Sequence, residues 1–136
     1  MSALNSDRST LACDGTFRCL SVEAAKKIYA GALVMVNSAG NAVPASTATN
    51  LTAVGRSELQ VDNTQGAAGA QSVRVRRGIF AYANSTGGDA ISNANIGQTA
   101  YAVDDQTLAL TNGTNTRSPV GRIHHVDGDG VWVEIL

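Results

Sequence analysis

Apolar residues recur at every second position over short runs of this chain, and small polar residues interrupt the runs at close intervals. The alternation is clearest in SVRVRRGIFAYA, Ser72–Ala83. There Val73 and Val75 fall on one face of a strand, Arg74 and Arg76 fall on the other, and Gly78 marks a bulge or kink. ALVMVNSAGNAVPAS, Ala32–Ser46, has two apolar runs about a polar turn at Asn37–Asn41, the grammar of a hairpin. Leu51–Val61 reads as another strand, broken at Gly55. Thr99–Val103 and Thr107–Thr111 flank a turn at Asp104–Gln106. The chain closes with Val120–Val126 and Val131–Leu136 about the turn DGDG, Asp127–Gly130.

Before these strands, Thr16–Val22 reads as a first strand, and EAAKKIY, Glu23–Tyr29, is the one plausible helical turn. Asp62–Gln71 has three small-residue loop signals and reads as the longest flexible loop. Asn84–Gly97 and Asn112–Ser118 are also loop-like. Residues 1–15 have no period and read as an extended arm. Short strands spaced by about 8–12 residues, with turns between them, predict an all-β chain, a single-domain sandwich or barrel rather than βαβ units. The division predicted is an N-terminal arm and lead-in over 1–19 and a β-domain over 20–136. Its expected core is Val34, Val36, Val54, Val73, Val75, Ile79, Val103, Leu108, Val120, Ile123, Val131 and Val133.

The triplet Val-Gly-Arg stands at 54–56 and again at 120–122. In each copy glycine lets the backbone bend or approach a neighbour, and arginine then points outward. The copies mark equivalent corners of a pseudo-symmetric β-structure, or three common residues have recurred by chance.

Composition narrows the function classes. Aromatics make up 4% of the 136 residues, so the core must be aliphatic. A formal charge of −1 with 15% charged residues argues against a nucleic-acid binder and against disorder by charge repulsion. No apolar run approaches the ~18–20 residues that cross a bilayer, and the N-terminus lacks the pattern of a secretory signal. The expectation is a chain made in the cytoplasm, without membrane or nucleic-acid partners. The asparagines of NLT, NST and NGT then read as turn residues. Cys13 and Cys19 match no metal or redox spacing and read as free thiols, with a disulfide between them as the alternative.

Reactive groups are few. His124 and His125 are the only histidines, and adjacency in a strand sends them to opposite faces, a poor start for a metal site. Asp127 and Asp129 lack the spacing of a calcium loop, and no nucleophile elbow or Cys–His arrangement occurs. The expectation is no enzyme, no catalytic residue, no metal and no cofactor. Trp132, in the alternating terminal strand, is read as a core residue. Arg74, Arg76 and Arg77 form the only basic cluster, either a solvated strand face or a docking surface for an acidic protein neighbour.

Taken in order, the stretches AGALVMVNSAGNAVPAS, LTAVGRSE, SVRVRRGIFAYANS, GDAISNANIGQTAYAVDDQTLAL and SPVGRIHHVDGDGVWVEI resemble the small capsid cement (decoration) proteins of tailed bacteriophages and prophages. The resemblance covers roughly residues 20–136 and rests on the order and spacing of weak motifs. It implies a virion protein on the outer capsid surface that bridges major capsid protein subunits and stabilises the expanded shell. It also implies a barrel or jelly-roll-like fold, assembly with itself as a dimer or trimer, and an arm that lies along the capsid or a neighbour. Two other readings are another phage structural β-domain, tail or fibre associated, and a carbohydrate-binding β-sandwich.

Overall fold

Runs of three to nine residues are all the turns of this chain leave for regular structure, and nearly all of it is strand. The computed structural model describes residues 2–136. Its strands are β1 Phe17–Ser21, β2 Lys26–Ile28, β3 Leu33–Val36, β4 Ala42–Pro44, β5 Thr52–Ser57 and β6 Val61–Asn63. They continue with β7 Ser72–Arg76, β8 Gly78–Asn84, β9 Thr99–Ala102, β10 Thr107–Ala109, β11 Pro119–Asp127 and β12 Gly130–Ile135. Single 3-10 turns at Gly87–Asp89 and Asn93–Asn95 are the only helical residues among those described.

The chain is all-β, as its alternation predicts. One antiparallel sheet has the order β1-β7-β5-β3-β4, and a small closed barrel has the order β10-β8-β12-β11-β9. Strands β2 and β6 pair as a separate ribbon. The barrel closes through a parallel contact of β10 with β8 and an antiparallel one with β9.

The sheet is buried on both faces over its β3 and β5 strands, which explains why LVMV is an unbroken apolar run. Leu33 and Met35, with Val43 and Ala53, share one core with the barrel's Leu108, Ile123, Val131, Val133 and Ile135. Val34, Val54, Val73 and Val75 face the other way and share a second core with Val22, Ile28 and Val61. Nine of the twelve expected core residues are buried; Val36 and Val103 are half-buried, and Ile79 is 40% exposed.

Ile79 departs from expectation because Ser72–Ala83 is two strands. The chain leaves the sheet after Arg76 and enters the barrel at Gly78, where a new register turns Phe80 and Tyr82 toward the barrel core and Ile79 outward. Leu51–Val61 also divides, into β5 and the start of β6, across Glu58–Gln60.

The expected helical turn at Glu23–Tyr29 is a turn followed by β2. Tertiary bonds override its helix formers: Glu23 N–H donates to Ala42 O, and Asn63 Nδ2 donates to the carbonyls of Val22 and Glu23. Ala25 consequently lies at φ 60°, outside the right-handed helix region. The same Asn63 donates to Ala67 O, so the loop expected to be the most flexible is tied at its base to a buried side chain.

Candidate functional site

Strands β7 and β1 carry the sheet beyond the barrel, and on that extension the barrel-side face is open. Antiparallel register sets Phe17 beside Arg76, Arg76 beside Arg56, and Cys19 beside Arg74. The Arg74 guanidinium lies 3.9 Å from the Phe17 ring centroid, and that of Arg76 lies 6.0 Å from it. Arg56 covers Phe80 at 4.6 Å and pairs with Glu58 Oε1 at 2.8 Å. The hydrogen bond from Arg56, and behind it the charges of Arg56, Arg76 and Arg74, hold the Glu58 carboxyl below the usual carboxylate range. Stacking on a fixed ring orients each cation and leaves its edge free for an acceptor.

Arg74 and Arg76 therefore share a face, as their spacing predicts. Arg77 stands apart from them at the break between β7 and β8, where its backbone N–H donates to Thr16 O. Three participants were not legible as site residues. Phe17, Arg56 and Phe80 come from different strands, and only the cross-strand register brings them to the arginines. The one signal was the Val-Gly-Arg triplet ending at Arg56.

A groove runs from this corner along β8. Its basic half, about 380 Å³, is lined by Arg56, Arg76, Arg77, Phe80 and Trp132. Its other half, about 620 Å³, has Tyr29, Asp105, Gln106 and Asp129 on its walls. Gly31, Ala81 and Tyr82 line both. The Tyr82 hydroxyl is buried without a hydrogen-bond partner, and burial pushes its pKa well above the ordinary phenol value. Asp105 is raised by partial burial and then by the neighbouring Asp104.

Near the groove, the histidines correct the sequence expectation. A bulge between Ile123 and His125 inserts His124 into β11 and breaks the alternation, so the rings meet instead of facing apart. His124 Nδ1 and His125 Nδ1 are 2.7 Å apart. Trp132 is also a surface residue, half-exposed, and not in either core. Its indole stacks on His125 at 5.4 Å between centroids, and its Nε1 donates to Asp127 Oδ1 at 2.9 Å. That bond, with a second from Asp129 N–H, holds the Asp127 carboxyl below its ordinary value.

Among the described residues, no three of His, Cys, Asp and Glu come together as a metal-binding group. No helix among them is long and apolar enough to cross a membrane. Cys13 and Cys19 are both exposed and unbridged. No protein-family model, curated protein or solved structure matches the chain.

Proposed function

We propose that the protein is a structural component of a tailed-phage head, one that binds the outer surface of the major capsid protein lattice and stabilises the expanded shell. The observation that carries this reading is the row Phe17–Arg76–Arg56, flanked by Arg74, on the open end of the sheet. Such a row offers aligned cations and an aromatic ring on a rigid scaffold, chemistry suited to an acidic protein surface and not to turnover of a small substrate. Many modest interfaces of this kind add up over a shell by multivalency. The resemblance of residues 20–136 to cement proteins supplies the identity of the partner. A jelly-roll-like kinship of the fold, an N-terminal arm and assembly as a dimer or trimer are the finer parts of the same reading.

Sugar binding is the second reading, and the surface position of Trp132 favours it more than the sequence did. One face of that indole is already covered by His125, however, which removes half of the platform a sugar ring would stack on.

The experiment is sedimentation of the protein with phage heads stripped of it. Saturable binding at a fixed ratio to the major capsid protein, with heads then more resistant to heat, supports the proposal. Arg74→Glu with Arg76→Glu should keep the circular dichroism of the parent and lose most of the binding. Absence of binding by the parent protein, or full binding by this variant, overturns it.

A further inference from the structure

The N-terminal half of β8 is a strand edge with nothing beside it. Between Gly78 and Tyr82 this strand is paired with β12 alone, and β10 joins its other edge only at Ala83 and Asn84. Ala83 N–H donates toward that second edge, to Gln106 O at 2.8 Å. Backbone groups in an antiparallel strand alternate between its two edges, so Ile79 and Ala81 direct their N–H and C=O to the same open side. That side is the floor of the groove, which has Arg56, Arg76 and Arg77 at the Gly78 end and Asp105 and Asp129 at the Ala83 end. An open edge in a charged groove is a template for an added strand.

The chain itself contains a segment of matching pattern. Residues 2–14 are exposed throughout and lie in no strand, leaving Leu4 73% and Leu11 94% exposed. Within the segment Asp14 and Arg8 are six residues apart, about 20 Å when extended, against about 17 Å for Gly78–Ala83. An even separation puts both charges on one face of a strand and Leu11 on the other. Run antiparallel to β8, the segment brings Asp14 to the arginine end and Arg8 to the aspartate end. Leu11 then falls on the side of Ala81 and its cross-strand neighbour Trp132.

We propose that residues 2–15 of one copy of this chain add as a strand to the β8 edge of a second copy, so that the groove is the acceptor of a self-assembly contact. The basic end recognises Asp14, the acidic end recognises Arg8, and the peptide groups of Ile79 and Ala81 supply the ladder. A second copy is the occupant because the chain's own segment leaves Thr16 without covering either leucine. The inference deepens the self-assembly part of the reading above, and its test uses no heads, so it and binding to heads can fail separately.

The test is light scattering on the full-length chain across concentration, with Trp132 emission followed in parallel, since it is the single tryptophan and lines the groove. The parent protein should associate, with the emission change tracking the mass. Leu11→Asp alters only an exposed side chain and should weaken association at least ~10-fold, as should the double change Arg8→Asp with Asp14→Arg. Ala81→Pro removes the central edge N–H and should act the same way, with the arm variants guarding against a folding defect there. High salt should weaken the parent's association. A parent that stays monomeric at every concentration, or arm variants that associate as the parent does, overturns the proposal.

Discussion

The backbone carbonyl of Arg76 occupies the space where a side chain on Gly55 would begin. Gly55 lies in β5 at φ 146°, beside the bulge that sets Val54 out of register with β3. The second Val-Gly-Arg repeats the arrangement in the barrel. Gly121 lies in β11 beside a bulge against β9, and a Cβ there would overlap the carbonyl of Glu134 in β12. The triplet thus marks, in the sheet and in the barrel alike, a strand that bulges at its valine against one neighbour and meets a close carbonyl of the other at its glycine. Gly55→Ala and Gly121→Ala should each cost about 2 kcal/mol or more by overpacking, with Gly55→Ala the worse because its φ also disfavours a side chain. Urea midpoints of the two variants against a Ser38→Ala control, at an exposed turn position, check this.

Asn63 should prove the most costly polar residue to replace. Its side-chain amide donates to Val22 O, Glu23 O and Ala67 O at 3.0–3.3 Å, and only 2% of the residue is exposed. Asn63→Ala removes the two amide hydrogens that these carbonyls share. Val22 O and Ala67 O keep the backbone N–H groups of Gly69 and Ala70, and Glu23 O is left short of a donor, a loss of about 1–3 kcal/mol. It also frees the turn from Thr64 to Gln71. Limited proteolysis should then cut within 64–71 in the variant and leave the parent's loop intact.

Local pattern was enough for much of this fold, and the reasons for its failures are specific. The hairpins at DGDG and at Asn37–Asn41 could be read directly, because each depends on neighbours in sequence. Burial of LVMV on both faces could not: the expected core held Val34 and Val36, and Leu33 and Met35 are buried by the barrel, which is distant along the chain. Glu23–Tyr29 misled because the bonds that bend it come from Asn63 and Ala42, distant along the chain. His124 misled through one inserted residue: period-2 reasoning assumes an unbroken ladder, and the bulge in β11 breaks it. Trp132 was misread against an alternation that holds, since period 2 along β12 buries Val131, Val133 and Ile135 and turns Trp132 outward. Of the site, Arg74 and Arg76 were legible from alternation. Phe17, Arg56 and Phe80 were not, since nothing local announces which strands will be neighbours.

Asp105 is a carboxylate that works against folding at neutral pH. Burial and the adjacent Asp104 raise its pKa in the folded state, so the folded chain holds the proton more tightly than the unfolded one. Its penalty is absent below the ordinary carboxylate range and appears as pH rises through the shifted value. Asp105→Asn should therefore raise the melting temperature at pH 7, by on the order of half a kcal/mol or less in stability because water screens this partly exposed charge, and have no such effect near pH 3. The backbone bond from Leu33 N–H to Asp105 O survives the substitution, so the comparison isolates the charge.

Asp89 has the opposite sign and anchors the loop before β11. Its carboxylate accepts from Thr111 Oγ1 and pairs with Arg117 Nη1 at 3.3 Å, while that same nitrogen donates to Thr111 O at 3.1 Å. The Thr111 hydrogen bond first, and Arg117 after it, lower the Asp89 pKa in the folded state. A lowered carboxylate contributes stability that is complete above its unfolded value and is lost as pH falls through the folded one. Melting temperature should consequently fall as pH drops from about 4 toward 2, where Glu58, Asp62 and Asp127, lowered likewise, add to the same slope. Asp89→Asn should lower the melting temperature at pH 7 and flatten part of that acid limb. The amide still accepts from Thr111, so Arg117→Gln should reproduce most of the loss, and Thr111→Val should add a loss of its own when combined with Asp89→Asn. An acid limb of unchanged slope in Asp89→Asn would show that the Asp89–Arg117–Thr111 cluster carries no linked protonation.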